Sequence, residues 1–303
     1  VTPAQIEFVD IAGLVKGAAH GEGLGNKFLS HIREVDAIVH VVRCFEDSSI
    51  IHVEGSVDPI RDIETVNTEL ILADMETVQK RLERVEKSVR AGDKTAMVEK
   101  ELLMKINNAL CAEKPARMLE FNEDEQKIVD GFFLLTSKPV IYVANIGEND
   151  LGKAGNSFVT KVKTYAKLEN SEVIALCAKI EEELLSLNES DREEFKSALG
   201  ITVSGLDLLI RASYHLLGLI SYLTAGEKEV RAWTIKAGTL APQAAGKIHS
   251  DFERGFIRAD VVKYDDLVEA GDYNKAREKG KIMSVGKDYV FQDGDIALFK
   301  FNV

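Results

Sequence analysis

Residues 8–46 read FVDIAGLVKGAAHGEGLGNKFLSHIREVDAIVHVVRCFE, and the order of textures inside that stretch decides the fold. The overlapping residues 5–10 (QIEFVD) predict a short buried strand. A glycine-rich stretch follows from Gly13 to Gly25, and residues 26–35 then place Phe28, Leu29 and Ile32 at helical spacing. Residues 37–42 (AIVHVV) form a near-continuous β-branched run, the texture of a parallel strand buried on both faces. Residues 140–144 (VIYVA) and 172–176 (EVIAL) repeat it, with helical patterns at 157–168 and 206–219. Strands alternating with helices predict an α/β domain built on a parallel sheet.

Working outward, one segment interrupts the alternation. Ile71, Met75, Val78, Leu82, Val85 and Val89 recur at heptad spacing, flanked by Glu83, Arg84, Glu86 and Lys87. Residues 90–93 (RAGD) read as a turn, and a second helical run follows with Val98, Leu102, Ile106 and Ala109 on one face. This predicts an antiparallel helical hairpin inserted into the α/β domain. The texture changes again near residue 223. Residues 230–237 and 257–262 read as strands, 243–252 as a helix, and 289–291 and 296–301 as short strands around the turn 292–294. That end is a small α+β module.

The 303 residues carry 45% hydrophobic and 29% charged side chains, ordinary for a globular protein with a real core. The length suggests two or three domains. The expected boundaries are 1–63 with 137–220 for the nucleotide-binding domain, 64–136 for the helical insertion and 221–303 for the last domain. A net charge of -12 argues against a protein that coats nucleic acid by bulk electrostatics. The excess is uneven. From Leu219 to the end there are 13 Lys+Arg against 13 Asp+Glu, so all of it lies upstream. Three scattered cysteines (Cys44, Cys111, Cys177) and no CxxC fit a reducing compartment and a cytoplasmic location. No apolar run reaches the ~18 residues of a membrane span, so no membrane partner is expected.

Three short motifs carry chemistry, each after an expected core strand. In Asp10-Ile11-Ala12-Gly13, an Asp at a strand end can hold Mg²⁺ through water, and the Gly lets a backbone N–H approach a γ-phosphate. In Asn145-Ile146-Gly147-Glu148, the sequence departs from the NKxD with which GTPases read guanine. There an Asp accepts from guanine N1–H and the 2-amino group. Adenine offers neither donor, and its N1 would be repelled by a carboxylate. Longer Glu148 and apolar Ile146 remove the guanine reader, while Asn145 can still meet the N6/N7 edge of adenine. Cys177-Ala178-Lys179 occupies the place of a small-residue loop that packs under the base. The glycines do not fit a dinucleotide fingerprint, because the position completing GxGxxG is Asn26.

With these motifs in order, the chain resembles the YchF/Obg-like ATPase family, the ATP-preferring branch of the Obg-related P-loop NTPases. The resemblance rests on residues 8–34, residues 36–46 (DAIVHVVRCFE), NIGE, the helical insertion, and residues 224–303 from TAGEKEVRAW to DIALFKFNV. It implies a G-type P-loop NTPase sheet domain, an antiparallel coiled-coil hairpin, and a C-terminal TGS domain of the ubiquitin-like β-grasp type. It also implies ATP hydrolysis with GTP poorly used, association with the ribosome (the large subunit and its RNA, through the TGS-like domain) and a role in translation and stress. ATP and Mg²⁺ would be the cofactors. Residue by residue, it implies Asp10 for the metal, Gly13 for the γ-phosphate switch, Asn145, Ile146, Gly147 and Glu148 for base specificity, and Ala178 and Lys179 under the base. Leu14 stands where many GTPases carry a water-orienting glutamine, and an aliphatic side chain cannot hydrogen-bond that water. The implied substitute is His52.

One departure limits that reading. A P-loop needs GxxxxGK[ST], whose backbone and Lys cradle the phosphates, and no such sequence occurs in the 303 residues. In the family roughly 60 residues, about two supersecondary units, precede the DxAG motif. Only nine precede Asp10, and residue 1 is Val, so an N-terminally truncated chain is expected. The alternative to an ATPase is a ribosome- or RNA-binding module that does not hydrolyse nucleotide. Residues 249–253 (HSDFE) could suggest metal ligands, but their place on the expected β-grasp helix predicts a solvated face. Lys279, Lys281 and Lys287 are a candidate RNA contact.

Overall fold

The computed structural model describes residues 1–11, 24–52, 55–152, 156–226 and 229–302. The chain divides into two compact units, Val9–Ala212 and Val1–Phe8 with Ser213–Val303.

In the first unit, α1 (Leu24–Glu34) leads into β1 (Ile38–Arg43). Two long helices follow, α2 (Pro59–Arg90) and α3 (Lys94–Cys111), then the short α4 (Glu123–Asp130) and β2 (Val140–Asn145). Next come α5 (Ser157–Leu168), β3 (Glu172–Leu176), α6 (Ala178–Ser186) and α7 (Glu189–Ala198); α8 (Gly205–Leu216) spans the division between units. The strands form a parallel sheet in the order β1-β2-β3, with Ile38 opposite Val140 and Ile141 opposite Glu172. Central β2 is buried from Val140 through Ala144, which explains its unbroken apolar texture. Val42 and Cys44 pack with β2, with Val159, Val162 and Ala166 of α5, and with Ile180 and Leu184 of α6.

The hairpin forms as its spacing requires. Asp58 caps α2 through the N–H groups of Ile60 and Arg61, Asp93 caps α3 through Thr95 and Ala96, and the chain turns at Ala91-Gly92. Ile71, Val78 and Val85 are buried in the seam, with Met75, Leu82 and Val89 beside them. On α3 the facing set differs from the expected one. Val98 is 43% exposed, and Leu103, Ile106 and Leu110 are buried with Leu102. The reason is a third layer. Val129 of α4, Phe132 and Leu134 also pack on the hairpin, so α3 buries a face wider than a two-helix seam.

The insertion is tied to the sheet by a buried polar network. Arg117 donates to both carboxylate oxygens of Glu169 (2.9–3.0 Å) and to Asn67 Oδ1 (3.0 Å), and Tyr142 OH donates to Glu169 (2.9 Å). Asn67 donates in turn to Tyr165 OH. Both members of the ion pair are almost wholly buried, where a charge persists only if it is paired and hydrogen-bonded.

The second unit is a mixed five-stranded sheet. Its strands are β4 (Leu219–Ala225), β5 (Val230–Lys236), β6 (Phe256–Lys263), β7 (Met283–Val285) and β8 (Asp295–Phe301), in the order β5-β4-β8-β6-β7. Helix α9 (Ala241–Ile248) lays Ala241, Ala244 and Ala245 on Tyr222, Phe291 and Phe299, and the short α10 (Ser250–Arg254) follows it. On the other face α11 (Tyr264–Ala270) and α12 (Tyr273–Glu278) cover Val262 and Ile296.

Three expectations are corrected. Residues 5–10 form no strand, and Phe8 and Val9 are about half exposed. The segment's start is engaged elsewhere: Thr2 exchanges main-chain hydrogen bonds with Val230 and Ala232 of β5 and donates its hydroxyl to Glu229. Residues 1–8 therefore belong to the C-terminal unit, not to the parallel sheet. Residues 289–291 are not a strand but meet Leu240 in a single bridge at Val290. What fixes them is buried Asp295, which accepts from Tyr289 OH, Gln292 N–H and Lys263. Finally, β4 begins at Leu219, a residue that the apolar spacing assigns to the preceding helix.

Candidate functional site

In an open parallel sheet, ligands bind beyond the carboxyl ends of the strands. Here that edge is formed by Arg43, Asn145 and Leu176, in register across β1, β2 and β3. Asn145 is the last residue of β2. Its Oδ1 accepts from Ala178 N–H (3.0 Å), the first donor of α6. Cys177, at the cap position, makes no side-chain cap, so Asn145 supplies from another strand what the helix lacks locally. This leaves Asn145 Nδ2 without a protein acceptor among the described residues.

The other members of the motif divide between core and surface. Ile146 N–H donates to Leu176 O (2.9 Å), and its side chain is buried against Cys44 and Cys177. Where GTPases have a lysine, this chain has a core residue. Gly147 lies against Phe45. Glu148 opens a single 3-10 turn, and its Oε1 sits 2.5 Å from Lys179 Nζ, with both groups substantially exposed. The hydrogen bond and charge of Glu148 raise the pKa of the Lys179 ammonium. The structure therefore brings Asn145, Ile146, Glu148, Ala178 and Lys179 into one cluster at the ends of β2 and β3.

Several supporting residues carry no motif of their own in the sequence. Asn156 Oδ1 caps α5 at Val159 N–H, while its Nδ2 donates to Cys44 O (2.7 Å) and Asp150 (2.8 Å). An Asn just before a helical pattern was the available signal. Glu181 accepts from Gly205 and Leu206 N–H and so caps α8 from α6. Gly205 is required there, because a Cβ would overlap Leu176. Arg43 donates to the carbonyls of Phe45, Asp47 and Ile50, each at 3.1 Å, and so shapes the loop that leads to His52. No sequence pattern announces that fork.

His52 is half-buried, with Nε2 3.0 Å from Asp62 Oδ2 in the first turn of α2. Arg61 holds the other oxygen of Asp62. The imidazole is thus positioned by α2 and not by the strand ends that carry the Asn145 cluster. Asp10 is exposed in coil, and no hydrogen bond or ion pair among the described residues joins it to that cluster. Gly13 and Leu14 lie outside the described residues.

Other candidates resolve simply. Cys44 is fully buried, and burial pushes its thiol up to about 12, which keeps it protonated and unreactive. His249 accepts from Asp251 N–H between α9 and α10, and no group of three metal-ligating side chains occurs among the described residues. Lys281 is engaged by Asp266 (2.8 Å), which leaves Lys279 and Lys287 as exposed cations outside any ion pair among the described residues.

A family model for the YchF C-terminal region, described as "Protein of unknown function (DUF933)", matches residues 219–302. A second, described as "50S ribosome-binding GTPase", matches residues 1–81. The "Ribosome-binding ATPase YchF" of Bacillus subtilis (strain 168) is 59% identical over 302 residues, covering 99% of this chain and 82% of that protein. The "Obg-like ATPase 1" of Caenorhabditis elegans is 42% identical over 303 residues, with 99% and 76% covered. The solved structure of the Schizosaccharomyces pombe YchF GTPase superposes with a TM-score of 0.85 at 40% identity, covering 94% of this chain and 78% of that one.

Proposed function

This chain belongs to the YchF family, and from that premise we propose that it serves a ribosome-binding ATPase, with the Asn145 cluster as its adenine-reading end. The observation that carries the adenine reading is the joint state of Glu148 and Asn145. Glu148 is paired with Lys179, so its carboxylate is not presented to accept the N1–H and 2-amino donors of guanine. Asn145 Oδ1 is engaged by Ala178, so the residue offers a purine only its amide donors, which suit N7. Ile146 is withdrawn into the core and contributes shape, not recognition.

The donor set fits ATP at the base end. Asn145 would meet the base edge, Ala178 and Lys179 would lie under it, and Glu148 would keep Lys179 in place. For Mg²⁺ the set is thinner, since Asp10 is the sole implied ligand among the described residues. A bound Mg²⁺ would supply charge neutralisation for the phosphates. Asp10 and Gly13 are proposed for the phosphate end, with Leu14 in the place of the water-orienting glutamine and His52 orienting the water in its stead. Asp62, held to His52 Nε2, would fix the tautomer and orientation of the imidazole and leave Nδ1 as the nitrogen that meets the water.

We assign three domains, the division expected from the sequence with its outer edges moved: a sheet domain within 9–63 and 137–212, the coiled-coil insertion at 64–136, and a TGS-like β-grasp domain over 213–303 that residues 1–8 join. The last of these is the proposed contact with RNA of the large ribosomal subunit. A cytoplasmic setting and a role in translation follow from that partner; no helix among the described residues is long and apolar enough to cross a membrane. A second reading is a ribosome- or RNA-binding module whose docking does not need hydrolysis.

The test is nucleotide titration of the 303-residue chain followed by saturation-transfer NMR. ATP should contact the protein through its adenine protons and bind at least tenfold tighter than GTP, and Asn145→Ala, which removes a donor to the N7 that both purines carry, should weaken both nucleotides. Equal or tighter GTP binding would overturn the adenine reading. Phosphate release with and without ribosomes then separates an ATPase from a docking module.

A further inference from the structure

A cavity of about 610 Å³ opens beside α2, lined by no residue of the Asn145 cluster, and its walls are cationic in a chain of net charge -12. Arg33 from the last turn of α1 faces Lys80, Arg81 and Arg84 of α2, with Val85 buried at the floor and Glu99 of α3 at the rim. Two of these charges neutralise each other. Arg81 donates to Glu99 (2.6 Å) and to Gly131 O (2.8 Å), and its guanidinium lies 4.4 Å from the Phe132 ring centre. Arg81 is therefore a fixed wall, and the one carboxylate lining the cavity is engaged by it.

The remaining cations have little to hold them. Lys80 has only Glu76, 3.4 Å away on an exposed face, and no ion pair of Arg33 or Arg84 occurs among the described residues. Asp74, whose charge reaches Arg33, is buried and accepts from Leu135 N–H, Thr136 N–H and Thr136 Oγ1. Lys80 and Arg84 stand one helical turn apart, where like charges repel. A ligand that brought negative charge between them and Arg33 would relieve that repulsion.

We propose that this cavity is an anion site for two or more adjacent phosphates carried by a small molecule. Its volume falls in the range of small-ligand pockets, roughly 300–1,000 Å³. Its cations converge from two helices across a hollow, whereas a nucleic-acid strand is tracked by charges laid out along one surface. Two guanidinium forks match phosphate oxygens bidentately, and the ammonium adds a point charge. Val85 and the aliphatic stems of Lys80 and Arg84 offer an apolar floor for the rest of such a molecule. Occupancy would clamp α1, which follows the glycine-rich stretch, onto α2.

Isothermal titration of the whole 303-residue chain with inorganic tripolyphosphate at 150 mM salt tests this. The expected dissociation constant is on the order of 10 µM. Orthophosphate should bind at least tenfold more weakly, and adenosine should not displace the probe. Arg33→Gln and the double variant Lys80→Gln/Arg84→Gln should each weaken binding at least tenfold, while Lys279→Gln leaves it unchanged. Circular dichroism at matched temperature confirms that each variant is folded, and Arg84→Gln alone, a single exposed change, should still cost severalfold. The proposal is overturned if the unmodified chain does not saturate below millimolar probe, or if Arg33→Gln binds as tightly as the parent. It is also overturned, in favour of RNA, if poly(U) binding depends on these residues and tripolyphosphate does not compete for it.

Discussion

At the residue scale, His40 gives the sharpest solution signature. It lies in β1 with its ring 5.6 Å from that of Tyr142. Burial, aided by the positive charge of Arg117 and opposed by Asp62, lowers its pKa from 6.5 to about 4. Between those values the unfolded chain binds a proton that the folded chain refuses. Stability is therefore complete above pH 6.5, falls as the pH drops towards 4, and then levels off with respect to this group. His40→Phe keeps an aromatic ring beside Tyr142 but removes the titration. Urea unfolding at pH 7 and pH 4.5 should show the parent losing about 1–3 kcal/mol more than the variant between the two pH values. Equal losses in both proteins would show that His40 is not held neutral. His40 also marks a limit of sequence reading. In AIVHVV it reads as one more strand residue, while Arg117 and Asp62, whose charges reach it, come from distant segments of the chain. Asn145 was legible because its place at a strand end is encoded locally. The Glu148–Lys179 pair was not, because it joins two loops.

At the element scale, the hairpin separates what periodicity carries from what it does not. Heptad spacing located the α2 seam, since a helix with a narrow apolar stripe writes its partner's position into every third or fourth residue. The same logic placed Val98 in the α3 face, and that failed because α4 and Phe132 widen the buried arc. The contrast is measurable. Leu103→Ala should destabilise the protein by about 2–5 kcal/mol, the range for emptying a buried leucine site. Val98→Ala should stay within about 0.5 kcal/mol. Denaturant midpoints of the two variants decide between a two-helix seam, which predicts a large cost at Val98, and the three-layer packing described above. Elements of the C-terminal unit were harder to see for a different reason. The run LLGLISYLTA passes from α8 into β4 with only Leu217 and Gly218 between them, and the glycine, at a φ of +60°, is the whole of the signal. Helices α11 and α12 are seven and six residues long, too short for an apolar period to stand out.

At the scale of the molecule, charge does what no single motif does. Residues 219–303 are neutral while the preceding part carries the full excess of 12 negative charges, so an approaching polyanion meets least repulsion at the C-terminal unit. Within that unit the ion pair of Lys281 with Asp266 removes one candidate for RNA binding, and Lys279 and Lys287 remain exposed. If they meet ribosomal phosphates, Lys279→Glu/Lys287→Glu should weaken co-sedimentation with ribosomes severalfold. The slope of log affinity against log salt should become shallower by about 1 for each phosphate that is no longer neutralised. Because both side chains project into solvent, the thermal midpoint should not move. Weaker binding with an unchanged salt slope would mean that the substitutions act through shape, not through phosphate neutralisation. Unchanged binding at every salt concentration would place the ribosomal interface on other residues, the first alternative being the charged outer face of α2 and α3.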